Sequence, residues 1–105
     1  MVSVGNSKKI AIVRHILVPT KPQAKEILDA IRSAKKPLKV FKKLAKNYSK
    51  CPSSKKGGLL DEFTEGQMVK EFEQAVWSSE IETVPSEFIR TKFGYHVIWV
   101  HELKH

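Results

Sequence analysis

Two runs of β-branched and aromatic residues, Ile10 to Val18 and Tyr95 to Val100, sit near opposite ends of a 105-residue chain, and that placement constrains the fold most. The first run closes on Pro19 and suits a central strand, because branched side chains fit a pleated surface and proline ends the ladder. Period-two alternation sends Val13, His15 and Leu17 to one face and Ile12, Arg14, Ile16 and Val18 to the other. In the second run His96, Ile98 and Val100 share a face, opposite Tyr95, Val97 and Trp99. A chain this short has one core, so the two strands are expected to pair, with helices packed around one small sheet. Antiparallel pairing would bring His15 and His96 to one locus, with the hydroxyl of Thr91 or the thiol of Cys51 nearby. Taken singly, each histidine reads more simply as a satisfied core side chain. Together they would form a buried polar cluster, costly unless every donor is paired.

Between the strands the period changes from two to 3.6. Thr20 and Gln23 have capping-box spacing, Pro22 fits the first turn, and Ala24, Ile27, Leu28 and Ile31 predict a helix running to about Ala34. Beyond Pro37, Leu38, Phe41, Leu44, Ala45 and Tyr48 predict a second helix, backed by Lys39, Lys42, Lys43, Lys46 and Lys50. Asn47 to Gly58 reads as a loop with a short helical turn near Cys51, and Leu59 to Phe63 as a short strand. Met68, Val69, Phe72, Ala75 and Val76 predict a third helix ending around Ser78 and Ser79. Glu80 to Arg90 is irregular, with Pro85 against a helix there.

Charge is unevenly spread. Met1 to Lys56 carries fifteen lysines and arginines against Glu26 and Asp29, whereas Gly57 to His105 carries four against nine acidic residues. Such a field serves solubility, or recruits nucleic acid or an acidic partner weakly through the lysine face. No basic-aromatic interleaving or nucleic-acid motif accompanies the lysines. With 41% hydrophobic residues and no apolar run of membrane-spanning length, the chain reads as globular with no membrane partner. The lone Cys51 cannot form an internal disulfide, the four histidines lack zinc spacing, and no apolar h-region of an export signal stands behind Lys8 and Lys9. The expectation is a cytoplasmic monomer without metal or cofactor. Residues 1–9 are expected to be a flexible segment and 10–105 a single domain.

Five blocks then stand in a telling order: Arg14-His15-Ile16-Leu17-Val18, Ser49-Lys50-Cys51-Pro52-Ser53, Lys56-Gly57-Gly58 with Leu60 and Phe63, Gly66-Gln67-Met68-Val69 with Phe72, and Thr91-Lys92-Phe93-Gly94-Tyr95-His96-Val97-Ile98. In order and approximate spacing they resemble the parvulins, the rotamase-type peptidyl-prolyl cis/trans isomerases, over about Val13 to Glu102. The resemblance implies an α+β, FKBP-like fold. It has a four-stranded, mostly antiparallel sheet surrounded by about four helices, with helices after the first strand and one between the second and third.

The resemblance also implies roles. His15 and His96 look like the family's tandem histidines, joined through Thr91 and close to Cys51. Leu60, Met68 and Phe72 look like the pocket for the substrate's proline ring, narrowed by Phe93, with Gln67 as a contact to the substrate backbone. Helical spacing would set Met68 and Phe72 one turn apart on a common face, and an open pocket wall should be less completely packed than core. The implied activity is isomerisation of unphosphorylated X-Pro bonds in protein folding, without covalent attack by Cys51; the substrates would be proline-containing polypeptides. The alternative is a basic chaperone or nucleic-acid-binding module on the same fold. The chain departs from the family pattern in two places. Ser86-Glu87-Phe88 stands before Thr91, where Gly-Pro is common, and Glu71 stands where proline or a small residue is common, which makes the cleft edge more acidic.

Overall fold

A computed structural model describes residues 10–60, 62–64, 66–83 and 87–104. The segment expected to be flexible over 1–9, together with Pro85 and Ser86 of the irregular loop, lies outside the described residues. Strand β1 (Ile10–Val18) leads through Pro19 to Thr20, whose extended backbone and hydroxyl cap helix α1 (Lys21–Ser33) by accepting the Gln23 N–H at 3.4 Å. The return half of the expected capping box is absent, since the Thr20 hydroxyl instead meets Gln23 Oε1 at 3.4 Å. Helix α1 buries Ala24, Ile27, Leu28 and Ile31. Helix α2 (Pro37–Tyr48) buries Phe41 and Ala45 and leaves Lys39, Lys42, Lys43 and Lys46 exposed. A 3₁₀ helix follows at Pro52–Lys56, then β2 (Phe63–Thr64), α3 (Lys70–Ser78), β3 (Ile89–Thr91) and β4 (Gly94–Lys104).

The sheet order is β2-β1-β4-β3, and all three pairings are antiparallel. The two terminal runs lie side by side, with Leu17 opposite His96 and Val18 opposite Tyr95. Each sheet face carries its own core, divided as the alternation predicts. Ile16, Val18, Val97 and Trp99 pack beneath α1 and α2, whereas Ala11, Val13, Ile98 and Val100 pack beneath Phe72 and Val76 of α3. His15 and His96, both 4% exposed, belong by register to the α3 face.

Three boundaries differ from the sequence expectation. The Leu59–Phe63 strand shrinks to Phe63–Thr64, with Leu59 making one isolated bridge to Arg14. The third helix begins only at Lys70, because the Glu73 carboxylate reaches back to the N–H groups of Gly66 and Met68 and holds them in a turn. The closing strand runs four residues past Val100 through a bulge: Val13 pairs with Val100 but Ile12 pairs with Glu102, leaving His101 as the extra residue.

The segment between α2 and β2 is strapped along the free edge of β1. Leu17 accepts the Lys50 N–H at 2.8 Å and donates its own N–H to Ser49 Oγ at 3.0 Å. His15 N–H donates to Gly58 O at 2.9 Å, and Leu60 N–H to Val13 O at 3.0 Å. These bonds satisfy a strand edge that would otherwise be open to foreign pairing. Gly58 permits the approach: at φ +87° its hypothetical Cβ would stand 2.5 Å from His15 O.

Candidate active site

The buried histidines meet directly. His15 Nδ1 lies 3.2 Å from His96 Nδ1, the rings stack with centroids 5.4 Å apart, and His96 Nε2 lies 2.7 Å from Thr91 Oγ1. Thr91 therefore ends the chain of contacts, whereas the resemblance implied that the two rings are joined through it. Its place is fixed by the β3–β4 turn, where Thr91 Oγ1 also accepts the Phe93 N–H at 3.1 Å. Between the two Nδ1 atoms one must donate and the other accept, so at least the accepting ring must be neutral. Burial, and secondarily the neighbouring His96, pushes the His15 pKa down to about 4; burial also lowers that of His96. His15 Nε2 is buried without a hydrogen-bond partner.

Phe72 of α3 covers both rings edge-on, its centroid 5.5 Å from His15 and 5.4 Å from His96. It is 1% exposed and belongs to the core, contrary to the expectation of an open pocket wall. Met68 precedes α3 and so is not one helical turn from Phe72, yet it and Leu60 lie half-buried against the same core. Phe93 is 61% exposed at the turn tip, with Lys92 Nζ 5.3 Å from its ring centroid. Gln67 is exposed, and its side-chain oxygen accepts the Thr64 N–H at 2.7 Å.

Cys51 stands at the head of the 3₁₀ helix, half-buried, on the strap that Lys50 anchors to Leu17. Its carbonyl accepts the Ser54 N–H at 2.9 Å, while its thiol makes no hydrogen bond to either histidine among the described residues. Glu73 is a positioning group that residue-by-residue reading missed. Partial burial would raise its pKa, but the N–H groups of Met68 and Gly66, with Trp77, hold it below the usual carboxylate value. The sequence signal was a carboxylate four residues beyond Val69, where a reach back across a helix start is sterically open. A cavity of about 380 Å³ lies away from these residues, bounded by Ala75, Ser78, Phe88, Ile89 and Val100.

A small antiparallel sheet that buries a stacked histidine pair under an aromatic ring, beside half-exposed apolar side chains and a strapped cysteine turn, defines a parvulin-type domain. The family described as rotamase, PPIC-type PPIase domain, matches residues 15–102, and the chain belongs to this family of peptidyl-prolyl cis/trans isomerases. It is 45% identical over 93 residues to foldase protein PrsA 4 of Bacillus cereus, covering 88% of this chain and 31% of that relative. The chain thus spans about a third of the length of that foldase. Among solved structures it is similar to the peptidylprolyl isomerase PrsA from Bacillus cereus, at 42% identity and TM-score 0.82, covering 93% of this chain and 36% of that one. It is also similar to NmPin, the parvuline of Nitrosopumilus maritimus, at 38% identity and TM-score 0.74, covering 90% and 97% of the two chains.

Proposed function

We propose that this domain isomerises X-Pro bonds of unphosphorylated polypeptides during folding, and does so without a covalent intermediate. Rotation about the amide faces a barrier of about 18–20 kcal/mol because conjugation must be lost, and no bond need be made or broken. A site that grips the proline ring and favours the twisted amide lowers that barrier by binding the transition state better than the ground state. Leu60, Met68 and Phe93 offer the apolar contacts, Gln67 a polar contact to the substrate backbone, and Cys51 a polar group toward which the carbonyl can swing. His15, His96 and Thr91 hold the floor rigid.

One observation carries the non-covalent reading: the histidines bond to each other and to Thr91, and neither bonds to the Cys51 thiol. A nucleophilic cysteine needs an adjacent base to form its thiolate. Three of the four ring nitrogens of the pair are engaged with each other or with Thr91, while the fourth, His15 Nε2, makes no bond to the thiol. For substrate choice, Pro19 and Thr20 alone separate β1 from α1, and Lys21 is the sole cation in the stretch from Pro19 to Pro22. An arginine fork suited to phosphate is missing from that connection. Comparable kcat/KM for phosphoSer-Pro and Leu-Pro peptides is expected in a coupled isomerisation assay. A phospho preference above about a hundredfold, worth about 2.7 kcal/mol of transition-state discrimination, would overturn this choice.

The outward lysines of α2 supply a diffuse field that we read as a weak attraction for acidic partners or nucleic acid. Fluorescence anisotropy against duplex DNA at two salt concentrations tests it, and no binding at low salt removes it. A cytoplasmic location and a monomeric state are our readings from the sequence, open to cell fractionation and sedimentation respectively.

A further inference from the structure

A second polar cluster lies on the sheet face opposite the histidine pair. Arg14 Nε donates to His101 Nε2 at 3.0 Å, and His101 Nδ1 lies 2.6 Å from Glu82 Oε1. Glu82 also accepts the Trp99 indole N–H at 3.2 Å, and its backbone N–H donates to Val100 O at 2.7 Å. At its other end the Arg14 guanidinium donates through Nη1 to the carbonyls of Lys56 at 2.8 Å and Gly57 at 3.2 Å. Those carbonyls end the 3₁₀ helix that Cys51 heads.

Two features are specific to this arrangement. The β4 bulge makes His101 the extra residue of the ladder, and its ring meets the Arg14 guanidinium. Glu82 holds φ +54°, a left-handed conformation uncommon for residues with a Cβ, where its N–H reaches Val100 O. None of the three side chains lies among the site residues, yet the chain of bonds runs from the loop after α3, through β4 and β1, to the Cys51 turn.

We propose that Arg14, His101 and Glu82 position the Cys51–Gly58 segment of the active site, and that protonation of His101 releases it. Because a carboxylate accepts, His101 must donate from Nδ1, which leaves Nε2 as the acceptor for Arg14. An added proton at Nε2 would set an N–H against the Arg14 N–H, so that bond is lost while the Glu82 contact is kept. Arg14 then loses the partner that aims its Nη1 at the end of the 3₁₀ helix. The charged groups meeting His101 are Arg14 from β1 and Glu82 from the loop after α3; β4 adds the Trp99 indole, and Glu102 next to His101 pairs with Lys104 at 3.3 Å.

The inference rests on the reading of Cys51 as part of the isomerase site, and its test separates the two. The wild-type protein is titrated from pH 8 to 5, the span in which histidines change charge, while its backbone amides and the His101 ring are followed by NMR. In parallel, kcat/KM on a Leu-Pro peptide is measured for wild type and His101→Gln, whose amide can accept from Arg14 and donate to Glu82 without titrating. The Ser53 to Gly58 amides are expected to shift in step with the His101 ring. Wild-type kcat/KM should fall about two- to fivefold, the scale of one net hydrogen bond, and the variant should show a flat profile. Silent amides while His101 titrates, or the same fall in His101→Gln, would overturn the link. A protein inactive at pH 8 would refute the isomerase reading and leave the amide titration to decide the link alone.

Discussion

Acidification should destabilise the fold before any carboxylate is protonated, and His15 sets the size of the effect. Its pKa moves from 6.5 in the unfolded chain to about 4 in the folded one, because burial disfavours the imidazolium and His96 adds to this. A base whose folded pKa is depressed binds more protons when unfolded across the interval, so stability is full above about pH 6.5 and is lost as pH falls toward 4. The whole interval is worth about 3 kcal/mol, at about 1.4 kcal/mol per pKa unit, and about 2 kcal/mol of it is lost by pH 5. His96 shifts in the same direction and adds to the loss. For a domain of this size 2 kcal/mol lowers Tm by about 8–16 °C. Glu73 and Glu82 also lose stabilisation on acidification, but below the usual carboxylate value of 4.5, so the measurement belongs between pH 7.5 and 5. Thermal melts across that range for wild type and His15→Gln isolate the effect by difference. A wild-type Tm that stays level to pH 5, or an undiminished slope in His15→Gln, would refute the argument from the buried ring pair.

Phe72→Ala should cost about 3–5 kcal/mol, the full penalty of a buried phenylalanine, because the ring is 1% exposed and covers both histidines; a urea midpoint hardly changed from wild type would show the wall to be open after all. Met68→Ala, at a half-buried position outside any helix, is expected to lower kcat/KM with a smaller stability cost than Phe72→Ala, as read by turnover per folded molecule. Gly58→Ala should yield little folded protein, since its Cβ would fall 2.5 Å from His15 O at an unfavourable φ; a normal melt would contradict the strap geometry. Cys51→Ser is expected to keep part of the activity, as the hydroxyl preserves a polar contact, and complete loss in a folded variant would restore covalent catalysis.

The sheet was legible because its two long strands alternate cleanly and one of them closes on a proline. That pattern, with the expected antiparallel pairing, set His15 and His96 on one face and sorted the apolar residues of each strand between two faces. The single core expected for so short a chain is instead two clusters, one on each face. Both long helices were equally plain from their spacing. The elements that escaped are those set by contacts across the fold. The start of α3 depends on a carboxylate reaching back to Gly66 and Met68, which periodicity at Met68 and Val69 conceals. The extent of β2 depends on where the strap leaves β1, and the bulge at His101 depends on register. At the site, five ordered motifs named the candidate residues, but the packing of Phe72 and the terminal place of Thr91 required distances. Arg14 and His101 could not be paired by reading, since 87 positions separate them and neither belongs to a motif that names the other.

The central claim, an isomerase acting at the Leu60, Met68 and Phe93 face, is tested most directly by exchange NMR on a short Leu-Pro peptide with catalytic amounts of protein. Separate cis and trans signals should show exchange cross-peaks that grow with protein concentration, where uncatalysed exchange takes tens to hundreds of seconds. Exchange rates that stay at the uncatalysed value for several residues before proline, with the protein folded, would contradict the claim.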